Sequence, residues 1–102
     1  MNKKSAIKKI RNYLSYLKDK DYKIRKAYLF GSYAKGNFHS DSDIDLAIVM
    51  KNIKNSFLLQ GDLLFMGRNF DTRIEPHPFA EKDFNNDNPL VEQILKTGIQ
   101  II

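Results

Sequence analysis

The sequence contains no cysteine, which excludes disulfides and thiolate metal sites, so any metal must be held by oxygen or imidazole ligands, the set that favours hard cations. No apolar run approaches the roughly 20 residues that a membrane span needs, and no signal-peptide stretch follows the basic N-terminus. A cytoplasmic protein without a membrane partner is expected. Acids are sparse too, 12 Asp or Glu against 17 Lys or Arg, for a formal net charge of +5. What is present is ordinary: 42% apolar residues in 102, room for one core, so residues 1–102 read as a single domain. No repeat, linker or low-complexity tract divides it.

The few acids are unevenly spread. Residues 1–30 carry ten Lys or Arg against Asp19 and Asp21, whereas residues 31–102 carry seven against ten acids. The basic end reads as a solvated helix face or as a surface for an acidic partner. No frame of stacking aromatics accompanies it, so nucleic acid is not the expected partner.

Ile7, Ile10, Tyr13, Leu14 and Leu17 recur at helical spacing between lysines, predicting an amphipathic helix over 5–19 with Ser5 as its N-cap. Lys23 to Phe30 reads as a strand ending in a tight turn at Gly31-Ser32, where a short helix starts near Tyr33. Leu46 to Met50 is apolar at every position, as in a strand buried on both faces. Ser56 is expected to cap a helix through Met66, with Gly67, Arg68 and Asn69 as its exit. Residues 70–79 read as a third strand with Asp71, Arg73 and Glu75 on one face, ended or held at an edge by Pro76 and Pro78. Asn88, Pro89 and Gly98 punctuate a last helix, with a short strand over 99–102.

Residues 30–50, FGSYAKGNFHSDSDIDLAIVM, set Asp41, Asp43 and Asp45 at alternate positions where the apolar run begins. Like charges so placed cost energy unless a cation or partner compensates. A calcium loop is rejected, because Leu46 and Asn52 stand where its glycine and bidentate glutamate belong. A P-loop is rejected, because Asn37 and Phe38 replace its Lys and Ser/Thr. What remains is a Gly-Ser turn that offers hydroxyl and N–H groups to an anion, and two carboxylates, Asp43 and Asp45. Two apart on a strand, these share a face with Cα atoms about 7 Å apart, within reach of one or two Mg²⁺ ions.

Gly31-Ser32, ten residues, then Asp43-Ile44-Asp45 resembles the signature of the minimal nucleotidyltransferases of the DNA polymerase β superfamily, and Gly36 and the Ser42–Leu46 run agree with it. The resemblance implies an α/β fold, a small mixed β-sheet flanked by helices, and transfer of a nucleoside monophosphate from an NTP, ATP first, to a hydroxyl with loss of pyrophosphate. It implies a third carboxylate from a neighbouring strand. Asp71 is the first candidate and Glu75 the second, the competing expectation for either being an ion pair with Arg73 or another basic residue. Asp43, Asp45 and Asp71 would then be the catalytic residues and the ligands of two Mg²⁺ ions, with Mn²⁺ as a substitute, while Gly31, Ser32 and Lys35 would hold the phosphates. Asp41 is expected in the loop or behind the metal ligands, and His39 and His77 as structural or exposed residues. Domains of this size resemble the nucleotidyltransferase half of two-component HEPN/MNT toxin-antitoxin modules, which implies an all-helical HEPN-type partner as acceptor. An open domain of 102 residues leaves apolar surface for a partner or a second copy, so a homodimer is expected when the protein is alone. The alternative is a non-catalytic subunit that neutralises its partner by contact.

Overall fold

In the computed structural model, which describes residues 2–39 and 41–102, Asn2 rather than Ser5 opens the first helix. Its side chain accepts a hydrogen bond from the Ser5 N–H at 2.8 Å, so α1 runs Lys3–Asp19. The apolar stripe of α1 (Ala6, Ile10, Tyr13, Leu14, Leu17) is buried, and most of its lysines face solvent. There follow β1 (Ile24–Phe30), α2 (Ser32–Lys35), β2 (Ile44–Met50), α3 (Ser56–Gly67), β3 (Ile74–Ala80), a 3-10 turn at Glu81–Asp83, α4 (Pro89–Thr97) and β4 (Ile99–Gln100).

The strands form one mixed sheet in the order β3-β2-β1-β4. β1 is antiparallel to β2 and β4, and β2 is parallel to β3, the connection that needs a crossover, which α3 supplies. One face, with Ala27, Leu29, Ile44, Leu46 and Ile48, packs on α1 and on Leu63 of α3. The other carries Tyr28, Phe30 and Ala47 and is covered in part by Ile94 of α4, with Phe79 and Phe84 beside it. β2 therefore has strands on both sides and apolar cover on both faces, the reason for its unbroken apolar run; a central side chain such as Ile48 contributes about 2–3 kcal/mol by its burial. Tyr13, fully buried, ties α1 to α3 by donating its hydroxyl to the Leu63 carbonyl at 2.6 Å. Burial, with Tyr22 nearby, pushes that hydroxyl well above the ordinary tyrosine range.

Other boundaries differ from expectation too: β2 starts at Ile44 rather than Leu46, and β4 stops at Gln100. Asn55, not Ser56, caps α3, accepting the Leu58 N–H at 3.1 Å. The third strand begins at Ile74, not Phe70, because the Asp71 carboxylate accepts the Arg73 N–H at 2.9 Å and folds residues 71–73 into a turn. Pro76 and Pro78 do not end β3. They sit two apart on an edge strand, so both missing N–H groups lie on the side away from β2. On that side the Pro76 carbonyl is taken by the Gln60 side-chain amide at 3.0 Å.

Candidate active site

The site is built where β1 ends beside the start of β2. Phe30 is the cross-strand partner of Asp45, so the next residue, Gly31, passes directly against the Asp45 carboxylate. Gly31 has φ +74°, a conformation that L side chains rarely adopt, and a Cβ there would overlap the Asp45 carboxylate oxygen. Glycine is thus required twice at this position. Gly31→Ala is expected to cost about 1–3 kcal/mol in backbone strain and to push Asp45 aside, so nucleotide binding should fail while the circular-dichroism spectrum stays native. Unchanged nucleotide affinity in a folded Gly31→Ala protein would contradict this placement.

The turn after Gly31 is the single-turn helix α2. Gly31 is its N-cap and supplies no side-chain acceptor, which leaves the leading N–H groups of the turn to another acceptor. Tyr33 anchors it: the ring is fully buried, stacked on Phe38 with centroids 4.2 Å apart, and its hydroxyl lies 3.4 Å from Arg73 Nη1. The Lys3 ammonium caps the Ala34 carbonyl at 3.3 Å. Lys35 is exposed and lines a groove shared with Glu92 and Lys96 of α4. In the loop to β2 the His39 N–H donates to Ser42 Oγ at 2.9 Å and the Asp41 N–H to His39 Nδ1 at 3.3 Å, so His39 and Asp41 belong to the loop. Ser40, within the signature, and Met1, within the expected 1–102 domain, lie outside the described residues.

Asp43, exposed, precedes β2, and Asp45 is half-buried within it. The parallel register then pairs Asp45 with Glu75, which puts Glu75 on the same sheet face. Two residues further along β3, His77 Nε2 lies 3.2 Å from Asp45 Oδ1, its ring edge-on to Phe30. The sequence reading set His77 aside; the residue shares the parity of Glu75 on any strand through this segment, and that parity was the available signal.

Asp71 has a different environment. Its side chain is only 4% exposed and is held by the Arg73 guanidinium through two hydrogen bonds, at 2.7 and 2.9 Å, and by the Lys9 ammonium of α1 at 3.1 Å. Burial alone would raise its pKa, but the Arg73 N–H, the Arg73 guanidinium and Lys9 outweigh it and hold the carboxyl below the ordinary value. This is the ion pair weighed against a catalytic role, and it faces α1, across the sheet from Ala47 and Phe30.

Among the described residues, no three Asp, Glu or His side chains are drawn together into a ready-made metal cluster. What the register aligns on one face is a donor set of carboxylate oxygens with one imidazole, the chemistry of a hard divalent cation.

A sequence profile of the family described as Polymerase beta, Nucleotidyltransferase matches residues 8–102. The chain belongs to the polymerase β nucleotidyltransferase family. It is also similar to a Methanocaldococcus jannaschii protein provisionally named a protein adenylyltransferase, 46% identical over 50 residues, or 48% of this chain and 47% of that protein. The match thus spans about half the length of that relative. A crystal structure of a toxin-antitoxin with AMP-PNP superposes with a TM-score of 0.66 at 24% identity, covering 100% of this chain and 73% of that one. A mutant of the MntA-HpeT toxin-antitoxin gives 0.65 at 21% identity over 100% of this chain and 73% of that one. A provisionally assigned nucleotidyltransferase from Sulfolobus solfataricus gives 0.64 at 22% over 95% of this chain and 82% of that one. At these identities the structural likeness establishes the fold, the mixed sheet and helices of a polymerase β family nucleotidyltransferase. No helix among the described residues is long and apolar enough to cross a membrane.

Proposed function

We propose that residues 1–102 act as one nucleotidyltransferase domain that moves AMP from ATP to a hydroxyl on an all-helical HEPN-type partner. The observation that carries this reading is the register around Asp45, which has Gly31 against its carboxylate on one side and Glu75 in line on the other. The name of the M. jannaschii relative supports AMP as the group and protein as the acceptor, and the AMP-PNP and toxin-antitoxin neighbours support ATP and a paired protein.

In this scheme Gly31 and Ser32 hold the β and γ phosphates, with Lys35 adding positive charge from the far end of the same helical turn. The acceptor oxygen attacks the α-phosphorus, the bond from that phosphorus to the β-phosphate oxygen breaks, and pyrophosphate leaves. The third carboxylate is Glu75 rather than Asp71, because the oxygens of Asp71 are taken by Arg73 and Lys9. Glu75 accepts the acceptor proton. Asp43, Asp45 and Glu75 would hold two Mg²⁺ ions, or Mn²⁺, which when bound lower the pKa of the acceptor hydroxyl and offset charge on the pyrophosphate. His77 is a positioning residue that steadies Asp45.

The test is a Mn²⁺ titration with and without AMP-PNP. Because a hard divalent cation of this kind is held by one or two carboxylates together with substrate phosphates, affinity should rise at least roughly tenfold with the nucleotide. Equal affinities would favour the contact-only subunit.

A further inference from the structure

The outer face of α3 is apolar in a surface position. Phe57, Leu58 and Phe65 are 82%, 62% and 72% exposed, although they sit in a helix whose inward face already holds Leu63 in the core. Gly61 lies between them, exposed, and a Cβ there would meet nothing within 4 Å. Nothing inside the fold therefore requires glycine at a position where it weakens the helix.

The order of these residues is the informative part. Around Gly61 the sequence FLLQGDLLF reads nearly the same in both directions: Phe57 and Phe65 stand four residues to either side, Leu58 and Leu64 three. At about 100° per residue all four fall within roughly 60° of the Gly61 direction, while Leu59 and Leu63 fall on the opposite side. A helix face with this symmetry is complementary to itself when turned end for end. That is the requirement of a two-fold interface, in which residue i meets residue j and j meets i.

We infer that the protein pairs with a second copy of itself through an antiparallel α3–α3 contact whose two-fold axis passes at Gly61. Phe57 of each copy packs on Phe65 of the other, Leu58 on Leu64, and the two glycines let the backbones approach at the crossing. The three exposed side chains offer on the order of 400 Å² of apolar surface per copy. With Gly61, Leu64 and a polar rim, the pair buries roughly 1,200 Å² in total, the lower end of a specific interface, so the dimer is of micromolar strength. Exposed Lys54 and Arg68 flank the stripe with like charge, about 10 Å from the axis, so added salt strengthens pairing. Salt would weaken binding of an acidic partner to the same face.

Sedimentation equilibrium of the full chain between about 1 and 200 μM tests this. Wild-type protein dimerises in the micromolar range. Gly61→Leu, a residue compatible with a stable monomer, weakens dimerisation at least tenfold by holding the helices apart. Phe57→Glu and Phe65→Lys each do the same, and circular dichroism confirms that every variant is folded. The double variant Phe57→Glu/Phe65→Lys sets carboxylate opposite ammonium at both ends and recovers most of the lost affinity, in a form that salt now weakens. A monomer at 200 μM, an undisturbed dimer in Gly61→Leu, or a double variant as weak as its parents overturns the inference. So does finding the α3 face protected only by a different protein.

Discussion

Asp45→Asn, alone or with Asp43→Asn, is expected to lower nucleotidyl transfer by on the order of 10³-fold while leaving the protein folded. Asparagine keeps the size of the side chain and a carbonyl that His77 can meet, so packing against Gly31 and Phe30 is preserved. What is lost is negative charge on Asp45, whose register partner is Glu75, and on Asp43 just before β2. With no cation bound, that loss removes like-charge repulsion between neighbouring strand positions, worth a few tenths of a kcal/mol, so the melting temperature should hold or rise slightly. A fall in activity that tracks a fall in melting temperature would mean that the acids serve the fold.

The second large effect separates the two candidates for the third carboxylate. Asp71→Asn is expected to cost about 2–3 kcal/mol, because it removes the buried negative charge opposite Arg73 and sets an amide NH2, a donor, against the Arg73 guanidinium where a carboxylate oxygen accepts, leaving one oxygen for the Arg73 N–H. The Lys9 contact adds little, since that ammonium is nearly half in solvent. The melting temperature should drop by roughly 10–15 °C. The pH dependence has a definite sign: the folded pKa of Asp71 lies below its unfolded value, so its stabilisation is fully present above about pH 4 and is lost as pH falls through the folded value. The gap between wild type and Asp71→Asn should therefore narrow in acid. Glu75→Gln should show the reverse pattern, a melting temperature within about 2 °C of wild type and transfer reduced as severely as by Asp45→Asn. A stable Asp71→Asn protein without activity would return the role to Asp71.

The glycine turn and the carboxylates at the start of β2 are legible because each leaves a local mark: a Gly-Ser step after a strand, and acids of equal parity before an apolar run. The buried character of β2 was equally plain from its composition. Asp71 lies outside the strand expected to carry it, for a physical reason. Counting parity from Phe70 assumed an extended backbone, but the Asp71 side chain bonds the N–H two residues on, and that turn decouples it from Glu75. Asp-x-Arg was itself the available turn signal. Which strand neighbours β2 on the Glu75 side is a long-range fact of sheet order, and no local pattern carries it. The two caps differ from expectation for one cause: an asparagine upstream of each serine accepts the N–H three residues on.

If Asp43, Asp45 and Glu75 carry nucleotidyl transfer as proposed, the α-phosphate of ATP must reach an acceptor. The most direct measurement incubates the purified chain, with a co-expressed all-helical HEPN-type protein as the proposed partner, with Mg²⁺ and ATP labelled on either the α or the γ phosphate. The expected result is that α-label alone becomes covalently attached to the partner, with pyrophosphate released in equal amount, and that Asp45→Asn and Glu75→Gln abolish the labelling without dissolving the complex. Stable complex formation with no α-label on the partner, or labelling that persists in Asp45→Asn, would contradict it.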